Sequence, residues 1–200
     1  IVNAVNKGKI PQSRIDDAVT RILKVKIEMG VFDDPMQEKV THDVDTLGSS
    51  QYRDLARQLV EKSLVLVKND NQVLPLKKGQ KIYVTGPAAN DVNVQCGGWT
   101  IAWKGLVGTG DNSSVPGTSI LAGLKDIASE YDLKIITDKN KAKDADVTLL
   151  CIGETSYAEW TGDTKDLSIV GEKALPDNKK AINEAKKLGK PTVTLIVAGR

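Results

Sequence analysis

Apolar residues in the first part of the chain recur at helical spacing. Ile15, Ala18, Val19, Ile22, Leu23 and Met29 mark one stripe of the 3.6-residue period, which predicts an amphipathic helix over residues 13–29. Ser13 with Asp16 three residues on fits its start, and Gly30 its stop. A second helix is predicted over residues 51–62, with Leu55, Ala56, Leu59 and Val60 facing inward. Between the two, residues 33–50 hold Asp33, Asp34 and Pro35 followed by a polar stretch, the pattern of a linker. From residue 63 the texture changes. Short apolar runs at 63–67, 82–84, 133–136, 147–152 and 193–197 predict strands, with helical patterns at 119–128 and 176–188 between them. The runs at 147–152 and 193–197 are nearly continuous in apolar character, each broken by a single threonine, as in strands covered on both faces. Strands alternating with helices predict a layered α/β fold, flavodoxin-like in outline, with a mostly parallel sheet.

Composition removes several classes of function. The 200 residues suffice for one α/β domain, or for one domain and a piece of another. Lys and Arg total 28 against 26 Asp and Glu, a net charge of +2, which points to neither nucleic acid nor an anionic membrane as partner. No stretch approaches the roughly 18 apolar residues of a membrane span. Cys96 and Cys151 are too few for a disulfide framework or a cysteine-based zinc site, and His42 is the one histidine. His42 lies in the polar linker and reads as a surface or packing residue, Cys151 as a core residue, and Cys96 as packing beneath its loop. Lysine pairs at 77–78, 179–180 and 186–187 read as solvated faces. The chain opens on Ile1 without a targeting segment and stops at Arg200, just past an apolar strand, so it is expected to be an internal piece of a longer protein. The compartment stays open.

Two connections exceed the usual two to six residues of a βα loop: residues 86–118 and residues 153–175. Each follows a strand, so both are expected at the C-terminal edge of the sheet, where open α/β sheets bind ligands. Trp99, Trp103 and Trp160 all lie in these loops, although aromatic residues make up only 4% of the chain. Two readings stand for Trp99 and Trp103. They form a platform for a sugar ring, or they anchor the loop to the sheet. In the second loop Glu154, Glu159 and Asp163 stand among Tyr157 and Trp160. A carboxyl beside an indole has its charged form disfavoured, as a general acid requires, and Glu159 is the one flanked by aromatics. Against this stands the reading of a solvated loop with ordinary carboxylates. The glycines of residues 105–110 and the Gly86-Pro87-Ala88 turn lack the spacing of a phosphate-binding loop, and no Gly-x-Ser-x-Gly elbow is present.

Residues 13–26 (SRIDDAVTRILKVK) with Met29-Gly30-Val31-Phe32 resemble the end of the barrel domain of glycoside hydrolase family 3. Residues 55–69, with Leu74-Pro75-Leu76, are similar to that family's entry into its second domain. Residues 95–105 (QCGGWTIAWKG) and 157–163 (YAEWTGD) resemble the substrate-facing loops of its β-glucan exohydrolase and β-glucosidase branch. Two positions depart from the pattern: Ala102 stands where an acidic residue is expected, and Trp160 replaces a smaller polar residue.

The resemblance implies residues 1–32 as the end of a (β/α)8-type barrel, 33–50 as the interdomain linker and 51–200 as an α/β sandwich domain. It further implies a retaining β-glycosidase acting on non-reducing-end β-D-glucosyl residues. The nucleophilic Asp would lie in the barrel, upstream of this chain, leaving the chain alone inactive. Glu159 would be the general acid/base and Trp103 would line the aglycone subsite. Trp99, Tyr157 and Trp160 would complete the substrate-binding set. Expected partners are a β-glucoside or gluco-oligosaccharide and the barrel domain of the same protein, with no metal or organic cofactor. The alternative is a carbohydrate-binding module using the loop tryptophans. A nucleotide-binding flavodoxin-like domain ranks last, for want of a phosphate loop.

Overall fold

The computed structural model describes residues 1–36, 46–106 and 115–199. His42, much of the linker, Gly108 and Gly110 therefore lie outside the described residues. The chain divides into two compact units, Ile1–Val65 and Leu66–Arg200.

The first unit is helical, with α1 (Val2–Asn6), α2 (Gln12–Glu28) and α3 (Ser50–Ser63). Helix α2 begins at Pro11 rather than at a Ser13 cap, and Asp16 instead accepts from the Gln12 amide at 3.0 Å. Gly30, at φ +71°, ends the helical path as expected. Helix α3 is capped by Ser49, whose hydroxyl accepts from the Tyr52 N–H. The inward stripe expected on α3 is open instead: Leu55, Leu59 and Val60 are all more than half exposed. Three helices of 5, 17 and 14 residues are too little structure to enclose a core of their own.

The second unit is an open sheet with helices on both faces. Its strands are β1 (Lys81–Thr85), β2 (Lys134–Ile136), β3 (Val147–Gly153) and β4 (Thr192–Val197). All pair in parallel, in the order β2-β1-β3-β4. Tyr83 registers with Thr148, and Leu149 with Val193. Successive side chains of a strand point to opposite faces, and the core divides accordingly. Ile82, Val84, Leu149 and Cys151 pack on one face with Ile120, Leu121 and Leu124 of α5 (Ile120–Ile127). Leu150 and Ile152 pack on the other with Ala181 and Ala185 of α6 (Asn178–Leu188). Strand β3, central and covered twice, is buried along its whole length. Burying each large apolar side chain there contributes about 1.5–3 kcal/mol.

Two of the predicted strands differ in the structure. Residues 64–67 form no strand: all four side chains are at least 65% exposed, and no described strand pairs with them. An apolar run needs a hydrogen-bonding neighbour to become a strand, and this one crosses the division between the two units. Strand β4 exists but is not covered on both faces. It ends the sheet, and Thr192, Thr194 and Ile196 are exposed.

From β1 the chain steps to β2 on one side of the sheet, and from β3 to β4 on the other. The direction of winding therefore reverses between β1 and β3. A crevice opens at such a reversal, beyond the C-terminal ends of the two strands. The two long loops begin there.

Candidate active site

The first loop leaves β1 through Gly86, at φ +102°, where a Cβ would lie 2.0 Å from the Cys151 carbonyl oxygen. Glycine is thus required for the chain to cross the end of β3, and the Ala88 N–H donates to that same carbonyl at 3.1 Å. The Asp91 carboxylate accepts from the Val94 N–H and starts a short helix, α4 (Val92–Cys96). A helix of five residues carries no periodic signal, which is why the sequence pattern did not predict it. A tight loop follows. The Trp99 N–H donates to the Trp103 carbonyl at 3.0 Å and the Thr100 hydroxyl to the Cys96 carbonyl at 3.1 Å. Cys96 itself is exposed rather than packed beneath the loop; its part is played by its carbonyl. The two indoles stand at the two ends of this closed loop, Trp99 68% exposed and Trp103 37%. The Lys104 ammonium lies 5.5 Å from the Trp103 ring centre.

The second loop is organised by its own side chains. Glu154, buried at the end of β3, accepts from the Tyr157 hydroxyl at 2.8 Å. The Tyr157 ring lies against Gly162 and Gly199, where any Cβ would come within 2.7 Å of it. Ala158 is held by Thr161, whose hydroxyl oxygen accepts from the Ala158 N–H at 3.1 Å and whose proton goes to the Ala158 carbonyl. A single 3-10 turn, Glu159–Gly162, follows. Glu159 opens it at φ +50°, in the left-handed region that costs a residue with a Cβ about 1–2 kcal/mol. Its carboxyl is exposed. Asp166 accepts from the Ser168 and Glu172 N–H groups at 2.9 and 3.2 Å. Buried Asn178, at the start of α6, donates to the Gly153 and Ile169 carbonyls, both at 2.7 Å. It thereby fixes the strand end from which the loop departs.

The loops then meet. A Cβ on Gly98 would lie 2.1 Å from the Tyr157 carbonyl oxygen, and one on Gly105 would lie 2.1 Å from the Gly97 carbonyl and 3.1 Å from Ser156. Above this contact the Trp103 and Trp160 rings approach to 5.2 Å between centres, tilted by 54°. Such a pair contributes about 0.5–1.5 kcal/mol beyond the area it buries.

The structure thus brings together Trp103, Trp160 and the turn that Glu159 opens. Trp99 joins Trp103 through its backbone N–H and leaves its ring exposed, Asp163 is exposed beyond the turn, and the Tyr157 hydroxyl is engaged by Glu154. Sequence reasoning gave Asn178 no role, since an Asn at a helix start looks like any capping residue. Burial pushes the Cys151 thiol up to about 12, in keeping with its place in the core.

Fold and site together define an open parallel α/β domain whose C-terminal sheet edge carries indoles and a carboxylate-bearing turn. Residues 64–200 match the Glycosyl hydrolase family 3 C-terminal domain, and the chain belongs to that family. It is similar to a lysosomal beta glucosidase of Dictyostelium discoideum, 31% identical over 221 residues that cover 100% of this chain and 26% of the relative. A periplasmic beta-glucosidase of Salmonella typhimurium is 30% identical, over 98% of this chain and 29% of its own length. Among solved structures, an exo-1,3/1,4-beta-glucanase from a Pseudoalteromonas species superposes with a TM-score of 0.77 at 37% identity, over 98% of this chain and 24% of that one. The chain spans between about a quarter and three tenths of the length of these relatives.

Proposed function

We propose that this chain is the acid/base-bearing part of a retaining β-glycosidase that removes non-reducing-end β-D-glucosyl residues from gluco-oligosaccharides or β-glucans. One observation carries the reading: Glu159 opens a strained, exposed turn at the winding reversal of the sheet, next to an indole that packs on Trp103. The printed names of the relatives, beta-glucosidases and an exo-1,3/1,4-beta-glucanase, support the substrate class.

Retaining hydrolysis uses two carboxyl groups about 5–5.5 Å apart, on opposite sides of the glycosidic bond. In this reading an Asp of a barrel domain in the intact protein attacks the anomeric carbon. Glu159 gives its proton to the departing oxygen, which leaves as an alcohol, and a glycosyl ester remains on the Asp. Glu159, now a carboxylate, takes a proton from water as the water's oxygen attacks the same carbon. Sugar is released and both carboxyls return to their starting forms. Trp103 offers its face to the aglycone ring, with Trp160 and Trp99 beside it. Tyr157 holds the turn in place. Residues 1–32 would belong to the barrel, 33–50 to the linker and 51–200 to the sandwich domain. The chain alone, lacking the Asp, is expected to be inactive.

A second reading, a carbohydrate-binding module, draws on the exposure of Trp99 and Trp160, each about two-thirds accessible. One comparison separates the two. In the intact protein, Glu159→Gln is assayed on an activated aryl glucoside and on cellobiose or laminaribiose. Loss of a general acid lowers kcat/KM for the disaccharide by about 10²–10⁴-fold and spares kcat/KM for the aryl glucoside, whose leaving group needs little protonation, while loss of the base slows the shared second step on both. Equal, slight losses on both substrates would overturn the proposal and favour the binding module.

A further inference from the structure

The residue after Glu159 is joined to both halves of the site. Two layers of contact connect the loops. The lower one is main chain on main chain, Gly98 against the Tyr157 carbonyl, with the Ser156 Cβ 3.1 Å from where a Cβ on Gly105 would lie. The turn Glu159–Gly162 carries internal hydrogen bonds, the two between Thr161 and Ala158 and that from the Asp163 N–H to the Trp160 carbonyl at 3.0 Å. The upper layer is the Trp160 ring on the Trp103 ring, 5.2 Å between centres. Among the described residues, Trp160 is thus a side chain by which the turn opened by Glu159 reaches the first loop.

We infer that Trp160 is a positioning residue: it holds the Glu159 turn in register with the sugar ring lying on Trp103, and so sets the efficiency of proton donation to a sugar leaving group. The inference rests on the acid/base reading of Glu159. The physical need is clear from the turn itself. Glu159 starts on a left-handed backbone and ends in an exposed, long side chain, so a rotation of the turn displaces its carboxyl. Misplacement of a catalytic group by about 1 Å costs on the order of 10²-fold in rate. A wall that merely touched the aglycone would act on substrate binding instead. A ring that merely filled space would act on all substrates alike.

Those three roles give three different kinetic results in the intact protein. Trp160→Ala and Trp160→Phe are compared on cellobiose and on an activated aryl glucoside, with Glu159→Gln in parallel. For Trp160→Ala the expected result is a cellobiose kcat/KM reduced, through kcat, by about 10- to 100-fold more than the aryl glucoside kcat/KM. Trp160→Phe, which keeps a ring against Trp103, restores most of the loss. A raised KM for cellobiose with kcat unchanged would overturn the inference and make Trp160 a wall of the aglycone subsite. Parallel losses on both substrates, with no rescue by Phe, would overturn it and make Trp160 a packing residue. If Glu159→Gln discriminates between the substrates and Trp160→Ala does not, the inference fails while the acid/base reading stands. If Glu159→Gln fails to discriminate, both fall.

Discussion

The two loops at the sheet edge lean on different devices. The second is held by side chains that hydrogen-bond within it or to its base: Tyr157 to Glu154, Thr161 to Ala158, Asp166 to two N–H groups, Asn178 to two carbonyls. The first has side-chain bonds of its own, at Asp91 and Thr100, but is seated by side chains that are missing. Gly98 and Gly105 bring main chain onto main chain at distances where no Cβ fits. The difference teaches that a carboxylate-bearing turn needs fixed partners, whereas an aromatic platform needs close approach. The two respond to opposite kinds of change, one to losing atoms and the other to gaining them.

The sharpest way to break this comparison is to add one carbon to the first loop. Gly105→Ala meets the Gly97 carbonyl at 2.1 Å and also carries φ +74°, so overpacking and backbone strain combine to about 3 kcal/mol or more. Thermal unfolding of the intact protein, with disaccharide turnover, measures both the loss of stability and the parting of the loops. Gly98→Ala, which meets only the spatial obstacle, is expected to cost about 1–3 kcal/mol. Gly97→Ala sharpens the point. It has φ +72° and ψ −162°, a conformation held almost only by glycine, with nothing within 4 Å of a Cβ, so it should cost about 1–3 kcal/mol through backbone strain alone. If Gly98→Ala leaves stability unchanged, close approach is not what seats the loop.

In the second loop the test is subtraction. Asn178→Ala removes the donors to the Gly153 and Ile169 carbonyls and is expected to cost about 2 kcal/mol by denaturant unfolding, the penalty of an unmet buried polar group. Tyr157→Phe removes the hydroxyl bonded to buried Glu154, with an expected loss of about 1.5 kcal/mol. Its accompanying loss of disaccharide turnover should exceed that of Asn178→Ala, because Tyr157 lies two residues from Glu159.

The smallest effect is expected far from both loops, at the Lys139–Glu184 pair. The hydrogen bond and charge of Lys139 hold the Glu184 carboxyl below the ordinary carboxylate range, and Glu184 in turn raises Lys139. The Glu184 contribution is present above the unfolded carboxylate value and fades as pH falls through the lowered one. The Lys139 contribution is present below the unfolded lysine value and fades as pH rises through the raised one. Lys139→Ala should therefore cost a little stability through neutral pH and nothing in strong acid. High salt should shrink the effect, since surface pairs are screened.

Much of the fold was legible because burial repeats along the chain. The nearly continuous apolar run at 147–152 announced the doubly covered β3, and the helical stripes announced α5 and α6 within a residue or two. The run at 193–197 has the same apolar character in sequence, yet β4 has an exposed face. An apolar run records tolerance of burial and not its presence. Residues 64–67 failed for the complementary reason, having the composition of a strand and no described ladder to join. At the site, the position of the loops and their concentration of tryptophan were readable. The Trp103–Trp160 contact was not, because it joins residues far apart in sequence whose approach depends on glycines that carry no chemical label.

The left-handed backbone of Glu159 has a consequence for how such a site is kept or lost. Glycine there would relieve about 1–2 kcal/mol of steric cost. It would give back only about 0.4–1 kcal/mol through the freer unfolded chain. Glu159→Gly is thus expected to unfold at the same temperature as the parent or higher, while turning over disaccharides no better than Glu159→Gln. On the acid/base reading, a lineage that stopped needing the proton would drift toward the sturdier variant, and a glutamate standing in this conformation would be the residue of a trade between durability and use.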